Sequence, residues 1–486
     1  MSFRSKTPVL REYQATTVRD TSAALKKHRK VLLQSPTGSG KSVMIAHMLR
    51  TASVERGMTC WLVCHRRELL KQLSDDLWES GVEHGMIAAG RSGSKAPVQV
   101  ASIQTLARRL DRLPPPDLLA IDEAHHATAA SYRRTIEHCS KSWTVGLTAT
   151  PERTDGTGLG DLFNAMVHGP TVKELTGLGY LSPYRIIAPD RPLDMSGIHS
   201  RGGDYVKSEA AARAQEVTGK AVAHYMRYVH PHTCLVYCVT RAHARFVTEN
   251  YLAAGIDAAY VAGDTPAADR ERLVAGFKNG HPKVVVSVDL FGEGLDAPGL
   301  RAVQLLRPTK SLILHLQQIG RALRIEEGKD SAIILDHVGN SWIHGLPDDD
   351  REWSLAGRDK KTSQDQAIGL RHCPDCFAIY RATLLRCPGC GHEHVPEPVV
   401  LEESDEKLVE FDSEQHKAMR AQEKKREESD CRTLEDLVLL GMAREYSPSW
   451  AGVRWSFRHA SRVGGRAINR QEGIRQARAV MQELGV

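Results

Sequence analysis

Apolar residues in the first third of the chain fall in short, nearly unbroken blocks: VLLQ (31–34), CWLVC (60–64), VQVAS (98–102), LLAI (118–121) and TVGL (144–147). A block that is apolar throughout, rather than at every second position, predicts a strand covered on both faces. Helical periodicity separates the blocks, as over 66–79. Strand and helix in alternation predict a parallel sheet with crossover helices. The pattern loosens over 152–210, rich in Gly and Pro, and then repeats: CLVYCV (234–239), AAYV (258–261), KVVVSV (283–288), RAVQL (301–305) and SAIIL (331–335). Two α/β domains of similar build are expected. Residues 346–366 are polar and read as a linker. Residues 397–414 are acidic, 413–430 read as a charged helix, and 431–486 have helical periodicity with a basic bias. No repeat of 20–50 residues stands out beyond the doubled α/β pattern.

Composition narrows the classes. Of 486 residues, 41% are apolar and 26% charged, which excludes a disordered or collagen-like chain. No apolar run approaches the ~20 residues of a spanning helix. The first residues, MSFRSKTPVLREYQ, have no apolar leader core, so a cytoplasmic protein away from membranes is expected. The excess of 65 Lys and Arg over 59 Asp and Glu permits a nucleic-acid partner without demanding one.

Two segments carry phosphate chemistry. SPTGSGKS (35–42) lies between the strand VLLQ and the helical run VMIAHMLR. That context suits a phosphate-binding loop, in which Thr37, Gly38, Ser39 and Gly40 present backbone N–H groups. Lys41 would reach the β- and γ-phosphates and Ser42 would ligate Mg²⁺. Ser35 stands where the strict pattern has Gly. LLAIDEAHH (118–126) ends a strand in two carboxylates. Asp122 can hold Mg²⁺, and Glu123 can orient and deprotonate a water.

DEAH (122–125) with LTATP (147–151) resembles motifs of superfamily 2 helicases, and the remaining motifs follow in order. LREYQ (10–14) resembles the adenine-reading Q motif. CHRRELLKQ (64–72), VASIQTL (100–106), LVYCVTRAHA (235–244), SVDLFGEGLDAP (287–298) and QQIGRALR (317–324) resemble the rest. The likeness spans residues 10 to about 340 and looks closest to RadD-like DNA repair helicases and their phage and prophage relatives. It implies two tandem RecA-like domains with ATP between them. Gln14 would read adenine, and Gly294 and Asp296 would face the ribose. Gln317 would position water or the γ-phosphate, and Arg321 and Arg324 would reach across the cleft. His125 and Thr148–Thr150 would couple nucleotide to closure. Arg66, Thr105, Thr240 and Ser287 would contact a nucleic-acid strand.

HCPDC (372–376) and RCPGCGH (386–392) place Cys373, Cys376, Cys387 and Cys390 in two C-x2-C pairs ten residues apart. Paired knuckles of this kind read as a zinc ribbon whose four thiolates close the Zn²⁺ shell, a structural role. The apolar residues at 377–385 suit a small hairpin. In the tail, arginines at 454, 458, 462, 466 and 470 would form one basic stripe on a continuous helix, but Gly464 and Gly465 interrupt it.

The expected organisation is a first domain (1–180), a bridge (181–215), a second domain (216–345), a linker (346–370), the ribbon (371–396), a charged linker or helix (397–430) and a basic helical segment (431–486). The expected activity is ATP-dependent DNA unwinding or branch remodelling in repair, recombination or phage replication. Alternatives are a duplex translocase of a restriction or defence complex, an ATP-switched binding or annealing module, and an RNA helicase. DNA, single-stranded or branched, is the expected partner, with RNA open. The ribbon or tail could also meet a protein.

Overall fold

The computed structural model describes residues 9–153, 156–291, 299–357, 369–394, 422, 425–444, 446–447, 449–459 and 469–483. The chain forms two compact units, residues 1–396 and 397–486.

The apolar blocks become strands. In chain order these are β1 (Lys30–Gln34), β2 (Cys60–Cys64), β3 (His84–Ala88), β4 (Arg91–Ser92), β5 (Val98–Ser102), β6 (Leu118–Ile121), β7 (Trp143–Thr148) and β8 (Ala165–His168). They form one sheet in the order β4-β3-β5-β2-β6-β7-β1-β8, parallel except for the β3/β4 pair. Every residue of β2 and β6 is buried, as continuous apolar runs with helices on both faces require.

The second sheet is built from β9 (Tyr184–Ile187), β12 (Cys234–Tyr237), β13 (Ala258–Val261), β14 (Val284–Ser287), β15 (Ala302–Leu305), β16 (Ala332–Asp336), β17 (Leu370–His372) and β18 (Ala378–Arg381). Its order is β13-β14-β12-β15-β16-β9-β18-β17. A separate hairpin, β10 (Ser200–Arg201) with β11 (Asp204–Tyr205), lies between β9 and β12 in the chain.

Three features depart from the expected boundaries. The segment read as a bridge contributes β9, which pairs in parallel with β16. The ribbon is not a detached module, because β18 pairs antiparallel with β9 and extends the second sheet. Its hairpin also straddles the first cysteine pair, with β17 before Cys373, rather than lying within 377–385. Finally, part of the polar linker folds back onto the first domain. Leu355 C=O accepts from Gly160 N at 2.9 Å, and Gly357 bridges Thr157. A Cβ on Gly158 would stand 2.0 Å from Leu355 O, so only glycine allows this approach. Leu355 joins the core around Leu159, Leu162 and Phe163.

The second unit contains helices Leu434–Ala443, Trp450–His459 and Arg470–Glu483. Thr433 and Asp436 cap the first reciprocally, at 3.1 and 2.8 Å. The other two cross at Gly452 and Gly473, where a Cβ on Gly452 would lie 2.4 Å from Gly473 O. The basic stripe is divided between these two helices, and residues 460–468 lie outside the described residues. Arg454 pairs with Glu428 at 3.5 Å, and Arg458 donates to Cys431 O at 2.5 Å, so two of its arginines are held by their own unit.

Gly452→Val should force the crossing apart and cost this unit about 1–3 kcal/mol. Hydrogen exchange over 434–483 in the full chain should quicken, and unchanged protection would refute the close crossing.

Candidate active site

The loop after β1 turns through Gly38 and Gly40, at φ +88° and +79°, and opens the helix Lys41–Arg50. Left-handed backbone at both positions suits glycine and frees N–H groups to face an anion. Ser35, the departure from the strict motif, is fully buried and donates to Ser39 Oγ at 2.7 Å, which pins the loop across its base. Lys41 Nζ donates to Ser35 O at 3.0 Å and Pro36 O at 3.2 Å. Thr37 and Ser42 are half-buried, and Ser42 is the second residue of the helix.

Gln14 is buried against the same loop. Its Oε1 accepts from Arg11 N at 3.0 Å and its Nε2 donates to Ser39 O at 3.3 Å. Tyr13 OH also donates to Ser39 O, at 2.8 Å. The loop is therefore held from the helix Glu12–His28, which brings Gln14 to the site where the resemblance of its motif places it.

Asp122 and Glu123 follow β6 and are buried, each 9% exposed. Glu123 sits at φ +49°, a left-handed conformation uncommon for a residue with a side chain. Its Oε2 makes no hydrogen bond and lies 3.4 Å from His125 Nδ1. His125 Nδ1 also contacts Thr148 Oγ1 at 3.1 Å, and Thr148 in turn donates to Thr150 O at 2.9 Å. From the second domain Gln317 Nε2 approaches His125 Nε2 at 3.4 Å. A polar chain thus runs from the carboxylate of the first domain to the helix Leu312–Gly320 of the second.

That helix and the turn after it are seated on the phosphate loop. A Cβ on Gly320 would meet Thr37 Cβ at 2.7 Å, and one on Gly38 would meet Leu181 Cδ2 at 2.8 Å and Arg324 Cγ at 3.8 Å. Arg321 is buried and Arg324 half-buried. Burial lowers the Lys41 ammonium pKa, the carboxylates of Glu123 and Asp122 raise it, and Arg321 and Arg324 lower it further. Residues from two sheets therefore share one electrostatic site.

Beside this site the domains enclose a cavity of about 570 Å³ lined in part by Arg66, His126, Arg153, Asp289, Arg307 and Gln317. Arg307 is paired with Asp289 at 2.5 Å and Asp204 at 3.2 Å, and Arg66 Nη1 crosses to Asp289 O at 3.3 Å. Of the four residues expected at a nucleic-acid strand, Arg66 lines this cavity. Thr105 is half-exposed on the helix Ile103–Ala107. Thr240 caps the helix Arg241–Ala253, accepting from His243 N at 3.2 Å. Ser287 is fully buried and donates to Leu290 O at 3.0 Å, so its hydroxyl has no solvent face here. Gly294 and Asp296 lie outside the described residues.

The four cysteine Sγ atoms lie within 4.8 Å of one another, with Cys373–Cys390 at 3.6 Å and Cys376–Cys387 at 3.5 Å. Zinc–thiolate bonds of about 2.3 Å in a tetrahedron place sulfurs about 3.8 Å apart, so the set fits Zn²⁺. Burial raises the Cys373 thiol, but backbone N–H groups of Cys376 and Asp375 and the neighbouring thiols outweigh it and lower it, while burial pushes Cys376 up, so the thiols of the cluster titrate together and one proton leaves before the others. Gly389 N donates to Cys387 Sγ at 3.3 Å.

Residues 7–153 match the family described as type III restriction enzyme, res subunit, and residues 219–326 match the helicase conserved C-terminal domain. A 51.5 kDa protein of a Lactococcus phage is 34% identical over 380 residues, covering 78% of this chain and 80% of that protein. The Saccharomyces cerevisiae protein IRC3, named as a candidate ATP-dependent helicase, is 29% identical over 397 residues. That match covers 74% of this chain but only 57% of the yeast protein. A fragment of a candidate type I restriction HsdR subunit from Vibrio vulnificus superposes with a TM-score of 0.55 at 21% identity, over 70% of this chain and 67% of that one, a likeness of fold.

Cys373→Ser should lose the bound zinc and the amide protection of 369–394. Metal analysis finding no zinc in the unaltered protein would remove the ribbon assignment. Glu123→Gln should keep ATP binding while slowing turnover ~10²–10⁴-fold. Full activity in that variant would exclude Glu123 as the base.

Proposed function

The chain belongs to the superfamily 2 helicases, and from that premise we propose that it is an ATP-driven motor on DNA, a helicase or branch-remodelling translocase. The observation that carries this reading is the electrostatic convergence on Lys41 of Asp122 and Glu123 from its own domain and Arg321 and Arg324 from the other.

Each group has a role that its chemistry suits. Backbone N–H groups of Gly38–Lys41 and the Lys41 ammonium bind the β- and γ-phosphates. Ser42 and Asp122 would hold Mg²⁺, which when bound neutralises charge on the phosphate oxygens. Glu123 takes the proton of the attacking water, its Oε2 being buried and without a hydrogen bond. Arg321 and Arg324 stabilise negative charge on the transferring phosphoryl group, an effect worth roughly 10³–10⁵ in rate. The contacts from Glu123 through His125 to Gln317 and Thr148 tie hydrolysis to the fit of one domain on the other. Adenine reading by Gln14 and ribose contact at Gly294 and Asp296 follow from the resemblance of their motifs. Arg66, on the cavity wall, is the best placed of the four strand-contact residues.

DNA is favoured over RNA by the match of residues 7–153 to a restriction-enzyme family. The same match supports a second reading, translocation on duplex without strand separation. No described helix is long and apolar enough to cross a membrane.

ATP hydrolysis should be measured alone and with single-stranded, duplex and forked DNA and with RNA, alongside strand release from the fork. Stimulation by single-stranded or forked DNA with strand release is the expected result. Duplex stimulation without release would assign the translocase. Stimulation by RNA alone would overturn the DNA assignment, and turnover indifferent to every polymer would overturn the motor.

A further inference from the structure

Lys329 has no part in the motifs, yet its ammonium is buried, 9% exposed, in the second domain. Its Nζ donates to three backbone carbonyls: Leu300 O at 2.6 Å, Ala322 O at 2.5 Å and Arg324 O at 2.8 Å. Two of these belong to the turn that carries Arg321 and Arg324. The third begins the approach to β15, at the centre of the sheet. Arg324 O also accepts from Ser182 Oγ at 3.2 Å, and Leu323 O accepts from Ser182 N at 2.8 Å. The last turn of a helix leaves carbonyls without partners. Here Lys329 supplies three ammonium donors where three carbonyls converge, so nothing in the cluster is left unmade. A buried ammonium is costly to hold, and most lysines reach solvent instead.

We propose that Lys329 is a positioning residue for ATP hydrolysis, clamping the 321–324 turn so that both arginines present their guanidinium groups to the γ-phosphate. The inference rests on the reading of the site given above. Lys329 acts through the backbone it holds. Local propensity cannot do this work, because the turn must be fixed against the sheet and against Ser182 at once. An error of about 1 Å in a reacting group can cost ~10²-fold in rate, so a clamp of this kind is expected to show in kcat rather than in substrate affinity.

The charged groups around the ammonium are Arg301, Glu326 and Arg324. Burial brings Lys329 down to about 8, Arg301 lowers it too, Glu326 opposes, and Arg324 lowers it again. Above that pH the amine keeps two donors for three carbonyls and loses its charge. Between about 8 and 10.5 the unfolded chain binds the proton more readily than the folded one. This group's contribution to stability therefore rises with pH while the clamp weakens. A fall of turnover in this window is not explained by unfolding at Lys329.

The test uses the full chain at saturating ATP and DNA. Wild-type kcat should fall as pH rises through about 8, with the melting temperature not falling in step. Lys329→Met should lower kcat at pH 7 by about 10- to 100-fold, leave KM for ATP within about twofold, and show no alkaline limb near 8. Lys329→Arg keeps its charge throughout and should recover part of the rate without that limb. An unaltered kcat in Lys329→Met at pH 7, or the same alkaline limb retained in Lys329→Arg, would each overturn the proposal. Burial lowers Lys41 as well, so Lys329→Arg, which keeps the charge and the donors, is the variant that assigns the limb, and it stays informative where Lys329→Met fails to fold. Lys41→Ala and Arg324→Ala in the same series keep the two readings apart. If neither slows hydrolysis, the site assignment itself fails. If both do and Lys329→Met does not, only the clamp fails.

Discussion

Three cations and two carboxylates meet where the two sheets face each other. Lys41, Arg321 and Arg324 converge on Asp122 and Glu123, in a space that already lowers the Lys41 pKa by burial. A site where cations and helix-opening N–H groups converge suits an anion. A nucleoside triphosphate with its metal supplies one. The rest of the first unit can be read as what keeps these five side chains in place. Glycines at 38 and 320 let the backbones approach, Ser35 and Ser39 brace the loop, and Gln14 and Tyr13 hold it from the N-terminal helix. No single domain could assemble this cluster, so chemistry and domain fit are the same event.

Around the cavity the same economy is visible in another form. Arg307 is held by Asp204 of the β10–β11 hairpin and by Asp289 after β14. Asp204 also accepts from Thr309 Oγ1 and Lys310 N, both at 2.9 Å. One carboxylate therefore ties the hairpin to the second sheet, while Arg66 of the first domain reaches the backbone of Asp289. The wall facing the candidate strand path carries these ion pairs beside apolar residues such as Leu290 and Ile313.

Much of this was legible beforehand, for a physical reason. The phosphate loop, the DEAH segment and each cysteine knuckle are local, placing their residues within about ten positions, so spacing alone constrains geometry. The apolar blocks were legible as strands because burial on both faces leaves no polar alternation to confuse. What escaped was held by distant partners. The strand Tyr184–Ile187 lies in a stretch that reads as a bridge, and only its partner at 332–335 makes it part of a sheet. The ribbon's place on that sheet depends on β9 in turn. Ser287 sits in a motif that suggests a surface contact, yet its hydroxyl turns inward to Leu290 O. Lys329 follows Gly328 in an ordinary charged loop, and nothing nearby in sequence announces that three carbonyls await it.

The return of residues 354–357 to the first domain has a mechanical consequence. The chain passes from the first sheet to the second between β8 and β9, and a second time it comes back to lie against Leu159 and Phe163. A door hung from one pin can swing, tilt and twist. Hung from two, it keeps a single axis. Separated tethers restrict the ways in which the second sheet can turn against the first.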